Sequence, residues 1–132
     1  MLCASFIRLY KLNEIPSGVY LDEASLGYNA YSILQTGKDE FGKTLPIFFR
    51  AFSTFQDSLN GYLSIIPVYL FGLNIFSTRL VSVISGLIVV TVTFLLFYFS
   101  DWKNKHNMAL IASFTVAFSP WAIYQSRVAV GS

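Results

Sequence analysis

Charged residues, cysteine and histidine are all scarce in this sequence. Of its 132 residues, 12% are charged and 55% are hydrophobic, a balance far more apolar than that of an ordinary soluble domain. Cys3 is the single cysteine and has no partner for an internal disulfide. His106 is the single histidine and has no cysteine or carboxylate at metal-ligand spacing. These scarcities argue against a disulfide framework, a zinc site and a histidine-based catalytic triad.

Basic residues are also few, and they are scattered along the chain. There are nine of them and the net charge is +2, so no basic stripe is available to follow a nucleic-acid backbone. What the sequence has in abundance is apolar and aromatic residues, the latter at 17%. We therefore expect an integral membrane protein that does not bind nucleic acid.

Two long uncharged stretches predict membrane helices. Leu80 to Phe99 contains 20 consecutive uncharged residues, and about 20 such residues span the hydrocarbon core as a helix. We predict a membrane helix over residues 78–100. A second uncharged stretch predicts another membrane helix over residues 107–125, with a kink or helix end at Ser119-Pro120.

The remaining segments differ in their polarity. Residues 1–10 are mostly apolar but too few to span, and we interpret them as the end of a first membrane helix. Six of the seven acids lie between residues 14 and 57, which predicts an external acidic loop over 11–58. Residues 59–76 lack charge but contain Asn, Gly and Pro, which favours an interfacial or re-entrant helix. Residues 126–132 would start a second external loop.

Charge asymmetry predicts the orientation in the membrane. Lys103 and Lys105 lie in the short connection between the two predicted spans, and basic residues in short loops favour the cytoplasmic side. The acidic loop, Arg79 and Arg127 would then face the outside of the cell.

An acidic pair stands before a short predicted helix. Helical spacing of apolar residues predicts a helix over Glu23–Leu34, with Asp22 as its cap and Gly37 as its stop. The structural interpretation is that both acids stabilise the helix start, by about 1 kcal/mol. The functional one is that Asp22 acts as general base on an acceptor hydroxyl while Glu23 positions the acceptor or holds a metal. The pattern leaves both open.

Two arginines border the predicted spans. Arg79 and Arg127 could reach from the lipid boundary to water, as long cationic side chains often do. Alternatively, their guanidinium groups could neutralise a bound phosphate. The sequence does not decide between these roles.

One segment, Gly37 to Thr44, fits the phosphate-loop pattern GxxxxGK[ST]. A functional phosphate loop follows a strand and opens a helix, whereas here a predicted helix precedes the pattern and Leu45-Pro46 follows it. Asp39 and Glu40 would also repel a bound anion. Nucleotide hydrolysis is accordingly the weakest of the functional alternatives.

Several stretches along nearly the whole chain match a known family in order, among them Leu9-Tyr10-Lys11-Leu12, Tyr20-Leu21-Asp22-Glu23-Ala24, Thr36-Gly37-Lys38-Asp39-Glu40, Phe71-Gly72-Leu73, Ser119-Pro120-Trp121 and Ser126-Arg127-Val128-Ala129. They resemble bacterial members of glycosyltransferase family 39, which includes protein O-mannosyltransferases and the lipid A aminoarabinose transferase. The chain departs from the family where Ala122 replaces a frequent histidine and where Gln56-Asp57-Ser58 replaces a Lys-Pro-Pro-like element.

The resemblance implies an all-α, polytopic fold of the GT-C type, of which residues 1–132 would be the N-terminal part. It implies a bacterial plasma-membrane enzyme that moves a sugar from a polyprenyl- or dolichyl-phosphate donor to an acceptor hydroxyl of a protein, lipid or glycan on the outer face. The implied catalytic residues are Asp22 and Glu23, with Arg79 and Arg127 as candidates for the donor phosphate. No cofactor is implied with certainty, and a divalent metal is an open alternative. The competing hypothesis is a small non-enzymatic membrane protein, such as a scaffold or transporter fragment.

Overall fold

The computed structural model of the chain describes residues 1–51 and 54–129. Within these ranges the fold is mostly helical, as predicted, with one short β-hairpin. The elements in chain order are α1 (Leu2–Leu9), α2 (Leu21–Thr36), β1 (Phe48–Ala51), β2 (Thr54–Asp57), α3 (Ser58–Phe71), α4 (Ile75–Tyr98), α5 (Lys105–Phe118) and α6 (Pro120–Ser126).

The two short strands lie within the predicted acidic loop and were not predicted. Strands β1 and β2 pair antiparallel, with Phe48 opposite Asp57 and Ala51 opposite Thr54. This segment is rich in phenylalanine, which favours strands over helices. Helical spacing of apolar residues does not predict such short strands.

Helix α4 is the clearest membrane-spanning candidate. Its 24 residues correspond to about 36 Å, which exceeds the roughly 30 Å of the hydrocarbon core. Only 17% of its most apolar 18-residue stretch is buried inside the molecule. Most of this stretch is therefore free to face lipid. The helix begins three residues before the predicted 78, because the Asn74 side chain caps it by accepting the Ser77 amide at 2.8 Å.

The predicted second span is broken at the predicted place. Helices α5 and α6 meet at Ser119 with a bend of 60°, since Pro120 opens α6 and has no N–H to continue the α5 hydrogen-bond ladder. The described ranges therefore contain one helix that can cross a membrane, or two when the bent pair counts as one span. A multi-pass arrangement stays a prediction.

Helix α3 is apolar but short. Its 14 residues extend about 21 Å, less than the hydrocarbon thickness, and Pro67 lies inside it. Gly72, with φ of 76°, ends the helix, and α4 starts three residues later. The ring of Phe49 packs so closely on Gly61 that a side chain there would overlap it.

Small residues allow the helices to approach one another. Ala4 of α1, Val90 of α4 and Ala117 of α5 form a buried cluster. Helix α2 packs against α3 and α4. The acidic helix is thus fixed directly on the membrane-spanning candidate α4.

Candidate active site at the start of helix α2

Helix α2 starts two residues before the predicted Glu23 and ends where glycine was expected to stop it. Tyr20 occupies the capping position, and Asp22 lies in the first turn. The prediction that Asp22 caps the helix was therefore wrong. Glu23 accepts the Tyr20 backbone amide at 3.2 Å and helps to close that first turn. At the other end Gly37 adopts the left-handed conformation, with φ of 70°, which confirms the predicted stop.

Glu23 is the most enclosed carboxylate of the site. It is 1% exposed. Its Oε1 accepts from Arg79 Nε at 2.9 Å and from the Ala129 amide at 2.8 Å, while Oε2 accepts from Arg79 Nη2 at 2.9 Å. With the Tyr20 amide, each carboxylate oxygen receives two hydrogen bonds. Glu23 is therefore poorly placed to take a proton or to hold a metal.

Two opposing influences act on the pKa of Glu23. Burial by itself would raise the pKa, but hydrogen bonds from Arg79, Ala129 and Tyr20 and the positive charge of Arg79 outweigh it and lower the pKa. The carboxylate consequently remains ionised at neutral pH and forms a permanent ion pair with Arg79.

Arg79 uses all five of its N–H groups within the protein. Beyond the two bonds to Glu23, Nη1 donates to the carbonyls of Leu12 and Pro16 at 3.0 and 3.2 Å, and Nη2 donates to Gly18 at 2.9 Å. The side chain is 0% exposed, so it does not extend to water. Arg79 thus positions Glu23 and the segment before α2. A contact with a donor phosphate would have to replace one of these hydrogen bonds, and it stays a prediction.

Arg127 is also buried and donates to backbone carbonyls, but unlike Arg79 it has an Nε without a hydrogen-bond partner among the described residues. Its Nη2 donates to the carbonyls of Tyr10 and Ile15 at 2.6 and 3.0 Å, and its Nη1 donates to Ile7. It is 7% exposed. The two predicted boundary arginines therefore bind the irregular segment between α1 and α2, whose carbonyls have few helical partners. They lie at one end of the molecule together with Glu23.

Asp22 contrasts with its neighbour. Its side chain is partly exposed and makes no hydrogen bond or ion pair across residues 1–51 and 54–129. It sits in the first turn of α2, where the helix dipole favours a negative charge. The site thus offers one free, ionisable carboxylate on a firmly held turn.

One contact at this site was not predicted. The hydroxyls of Tyr20 and Tyr124 lie 2.7 Å apart and join the start of α2 to α6. No pattern in the sequence connects two tyrosines 104 positions apart. The contact holds the capping residue of α2 against the second half of the chain.

The Gly37–Thr44 segment folds differently from a phosphate loop. Helix α2 precedes it, and an isolated bridge between Lys38 and Thr44 closes it in place of a following helix. The buried Asp39 carboxylate accepts the amides of Phe41 and Lys43 at 3.0 and 2.7 Å. These amides are therefore occupied by the protein's own anion.

A metal centre built from three or more His, Cys, Asp or Glu side chains is not found in the part of the chain that the structure describes. No family model, curated protein or solved structure matches the chain.

Proposed function

We propose that this protein is a membrane glycosyltransferase that moves a sugar from a polyprenyl-phosphate donor to an acceptor hydroxyl at the outer membrane face. The observation that carries this proposal is the contrast between two adjacent carboxylates. Glu23 is saturated by Arg79, Ala129 and Tyr20, whereas Asp22 is free and partly exposed. One acid serves as a fixed support and the other is free to exchange a proton.

The proposed chemistry needs one base. Asp22 accepts the proton of the acceptor hydroxyl, whose oxygen attacks the anomeric carbon of the donor sugar. The bond between that carbon and the phosphate oxygen breaks, and the phosphate leaves with the bonding electrons. Glu23 and Arg79 hold the turn that presents Asp22, and the lipid-exposed helix α4 supports a membrane setting for a lipid-linked donor. The resemblance to glycosyltransferase family 39 supports the same assignment.

The decisive variant is Asp22→Asn, which keeps the shape of the side chain and removes its basicity. Sugar transfer from a polyprenyl-phosphate donor, measured in membranes with a radiolabelled sugar, should fall by roughly 10²- to 10⁴-fold. Glu14→Gln is the matched control, because Glu14 is an exposed acid of the same loop that pairs only with Lys11, at 2.9 Å. Undiminished transfer by a folded Asp22→Asn protein would refute the catalytic assignment.

A non-enzymatic membrane protein is the second candidate. The hydrogen bonds of Glu23 favour this candidate, because they give one of the two adjacent acids a purely structural role. Under this alternative Asp22 only complements the dipole of α2, an interaction that stabilises the folded protein by about 0.3–1 kcal/mol. Asp22→Asn would then change stability slightly, and no sugar transfer would be detected from the wild-type protein.

A further inference from the structure

The last turn of α4 and the connection to α5 carry exposed aromatic and basic side chains. Tyr98, Phe99 and Trp102 are exposed, and so are Lys103 and Lys105. Tyrosine and tryptophan rings favour the boundary between hydrocarbon and water, where the lipid headgroups lie. This connection therefore has the composition of a segment at headgroup level, and it follows the helix that is long enough to cross a membrane.

The two lysines of this connection lack a carboxylate partner. Asp101 lies close to them in sequence, but neither lysine forms an ion pair in the part of the chain that the structure describes. Lys105 Nζ lies 5.9 Å from the centre of the Tyr98 ring, and the His106 ring packs against the same tyrosine, with 6.1 Å between ring centres. A cation above a ring face keeps N–H groups available for another acceptor. The connection thus presents two positive charges that the protein does not neutralise.

An apolar groove runs between α1, α4 and α5 toward this connection. Its volume is about 380 Å³, and apolar side chains form most of its walls, among them Ala4, Val90, Phe94, Leu110, Phe114 and Phe118. Ser113 also lines the groove, but its hydroxyl donates to the Leu110 carbonyl at 3.1 Å. The Phe94 ring stacks on Tyr98, with 5.7 Å between ring centres, and Leu110 lies one helical turn after His106. The groove and the connection are therefore continuous.

We propose that the groove and the connection form one site for an anionic phospholipid, with an acyl chain along Phe94 and Leu110 and the headgroup phosphate beside Lys103 and Lys105. The apolar walls fit a hydrocarbon chain, and basic residues at the membrane surface attract anionic headgroups. The lipid would touch all three helices around the groove and stabilise their packing. This site goes beyond the proposed function and is independent of it.

Fluorescence quenching by brominated lipids tests this site in reconstituted membranes. In a Trp121→Phe background Trp102 is the single tryptophan, so its quenching reports on lipid at the connection. The protein is placed in phosphatidylcholine vesicles that contain the same small fraction of either brominated phosphatidylglycerol or brominated phosphatidylcholine. We expect phosphatidylglycerol to associate at least roughly fivefold more strongly, because its headgroup carries a negative charge. Equal quenching by the two lipids would overturn the proposal.

Surface variants test the role of the charges. Lys103→Gln combined with Lys105→Gln should abolish the preference for phosphatidylglycerol, since both unpaired cations are removed. Lys38→Gln combined with Lys43→Gln is the matched control and should keep the preference, because these exposed lysines lie in the loop after α2. An unchanged preference in the first variant would refute the headgroup contact. Loss of the preference in the control would show that net charge attracts the lipid without a site, which refutes the proposal equally.

Two further measurements test the groove. Leu110→Phe narrows the groove without changing its charge and should weaken the association of phosphatidylglycerol severalfold. Glycerol 1-phosphate, which carries the phosphate without acyl chains, should not displace the lipid at millimolar concentration. Wild-type association in Leu110→Phe, or displacement by glycerol 1-phosphate, would remove the groove from the site and overturn the proposal.

The lipid site can be separated experimentally from the proposed sugar transfer. Arg79, which binds Glu23, lies near the first turn of α4, whereas Tyr98 ends the helix. Asp22→Asn should therefore keep the preference for phosphatidylglycerol while it loses sugar transfer. Loss of the lipid preference in Asp22→Asn would contradict a site at the far end of α4.

Discussion

Glu23 and Arg79 form a buried ion pair in which both side chains are fully hydrogen-bonded. Their side chains are 1% and 0% exposed. Such pairs contribute little over an apolar replacement, but removing one partner is strongly destabilising, because the other charge remains buried without compensation. The pair therefore acts as a clamp on the first turn of α2, and in the proposed reaction both residues would act only through the position of Asp22.

Glu23→Gln should destabilise the protein by about 3–5 kcal/mol, because Arg79 would stay charged in the absence of an anion. The unfolding free energy in detergent, obtained by denaturant titration, measures this loss. Glu14→Gln breaks an exposed pair and should change stability by no more than about 1 kcal/mol. Equal effects of the two variants would show that the buried pair is not a clamp.

The dependence of stability on pH tests the contribution of the Glu23–Arg79 ion pair independently. Because the folded-state pKa of Glu23 is lowered, its contribution is fully present above the unfolded pKa, about 4.3. It is lost as pH falls through the lower folded value. Wild-type unfolding temperature should therefore drop between about pH 4.3 and more acidic values, and Glu23→Gln should lack that part of the decline.

At the scale of elements, α2 and α4 approach closely through Gly27. A Cβ at this position would lie 2.5 Å from Thr78 Cγ2, which is closer than van der Waals contact permits. Threonine is stiff about χ1 and cannot easily move its methyl group aside. The glycine thus sets the distance between the acidic helix and the membrane helix.

Gly27→Ala should destabilise the protein by about 1–3 kcal/mol through overpacking. Adding Thr78→Ser, which removes the methyl group that would clash, should recover most of this loss. Unfolding of both variants in detergent, followed by circular dichroism, provides the comparison. A double variant no more stable than Gly27→Ala would locate the strain elsewhere.

Sequence patterns predicted those features of the elements that depend on nearby residues. The stop at Gly37 and the bend at Ser119-Pro120 follow from local backbone chemistry, and both are found. The Glu23–Arg79 pair joins residues 56 positions apart, and the carbonyls that accept the other hydrogen bonds of Arg79 belong to an irregular segment. No local pattern carries that information, so the phosphate-binding prediction for Arg79 could not be separated from a structural role by sequence alone.

At the scale of the whole molecule, the acidic helix start, Arg79 and Arg127 gather at one end of α4. The connection that holds Lys103 and Lys105 lies beyond the other end, Tyr98. The prediction that the acidic site faces outside and the lysines face the cytoplasm requires these two ends to lie on opposite sides of the membrane. The length of α4 permits this arrangement.

Cysteine accessibility tests the orientation in intact cells. In a Cys3→Ser background, Leu21→Cys places a thiol at a residue that is 69% exposed, next to Asp22. An impermeant maleimide should label it from outside. Lys103→Cys, also exposed, should be labelled only after the membrane is permeabilised. Labelling in the opposite order would place Asp22 in the cytoplasm and contradict the proposed reaction.

Glu23 accepts the backbone amide of Ala129, which follows it by 106 residues. During synthesis the ribosome delivers the earlier segment first, and a contact of such long sequence separation forms only after the intervening chain has been made. The beginning of α2 therefore emerges early but is completed late, once the residues after α6 have been synthesised. A nascent chain that lacks them carries Asp22 on a turn whose Glu23 lacks one of its hydrogen bonds. Under the proposed function, sugar transfer would therefore begin only after this last segment has folded onto α2.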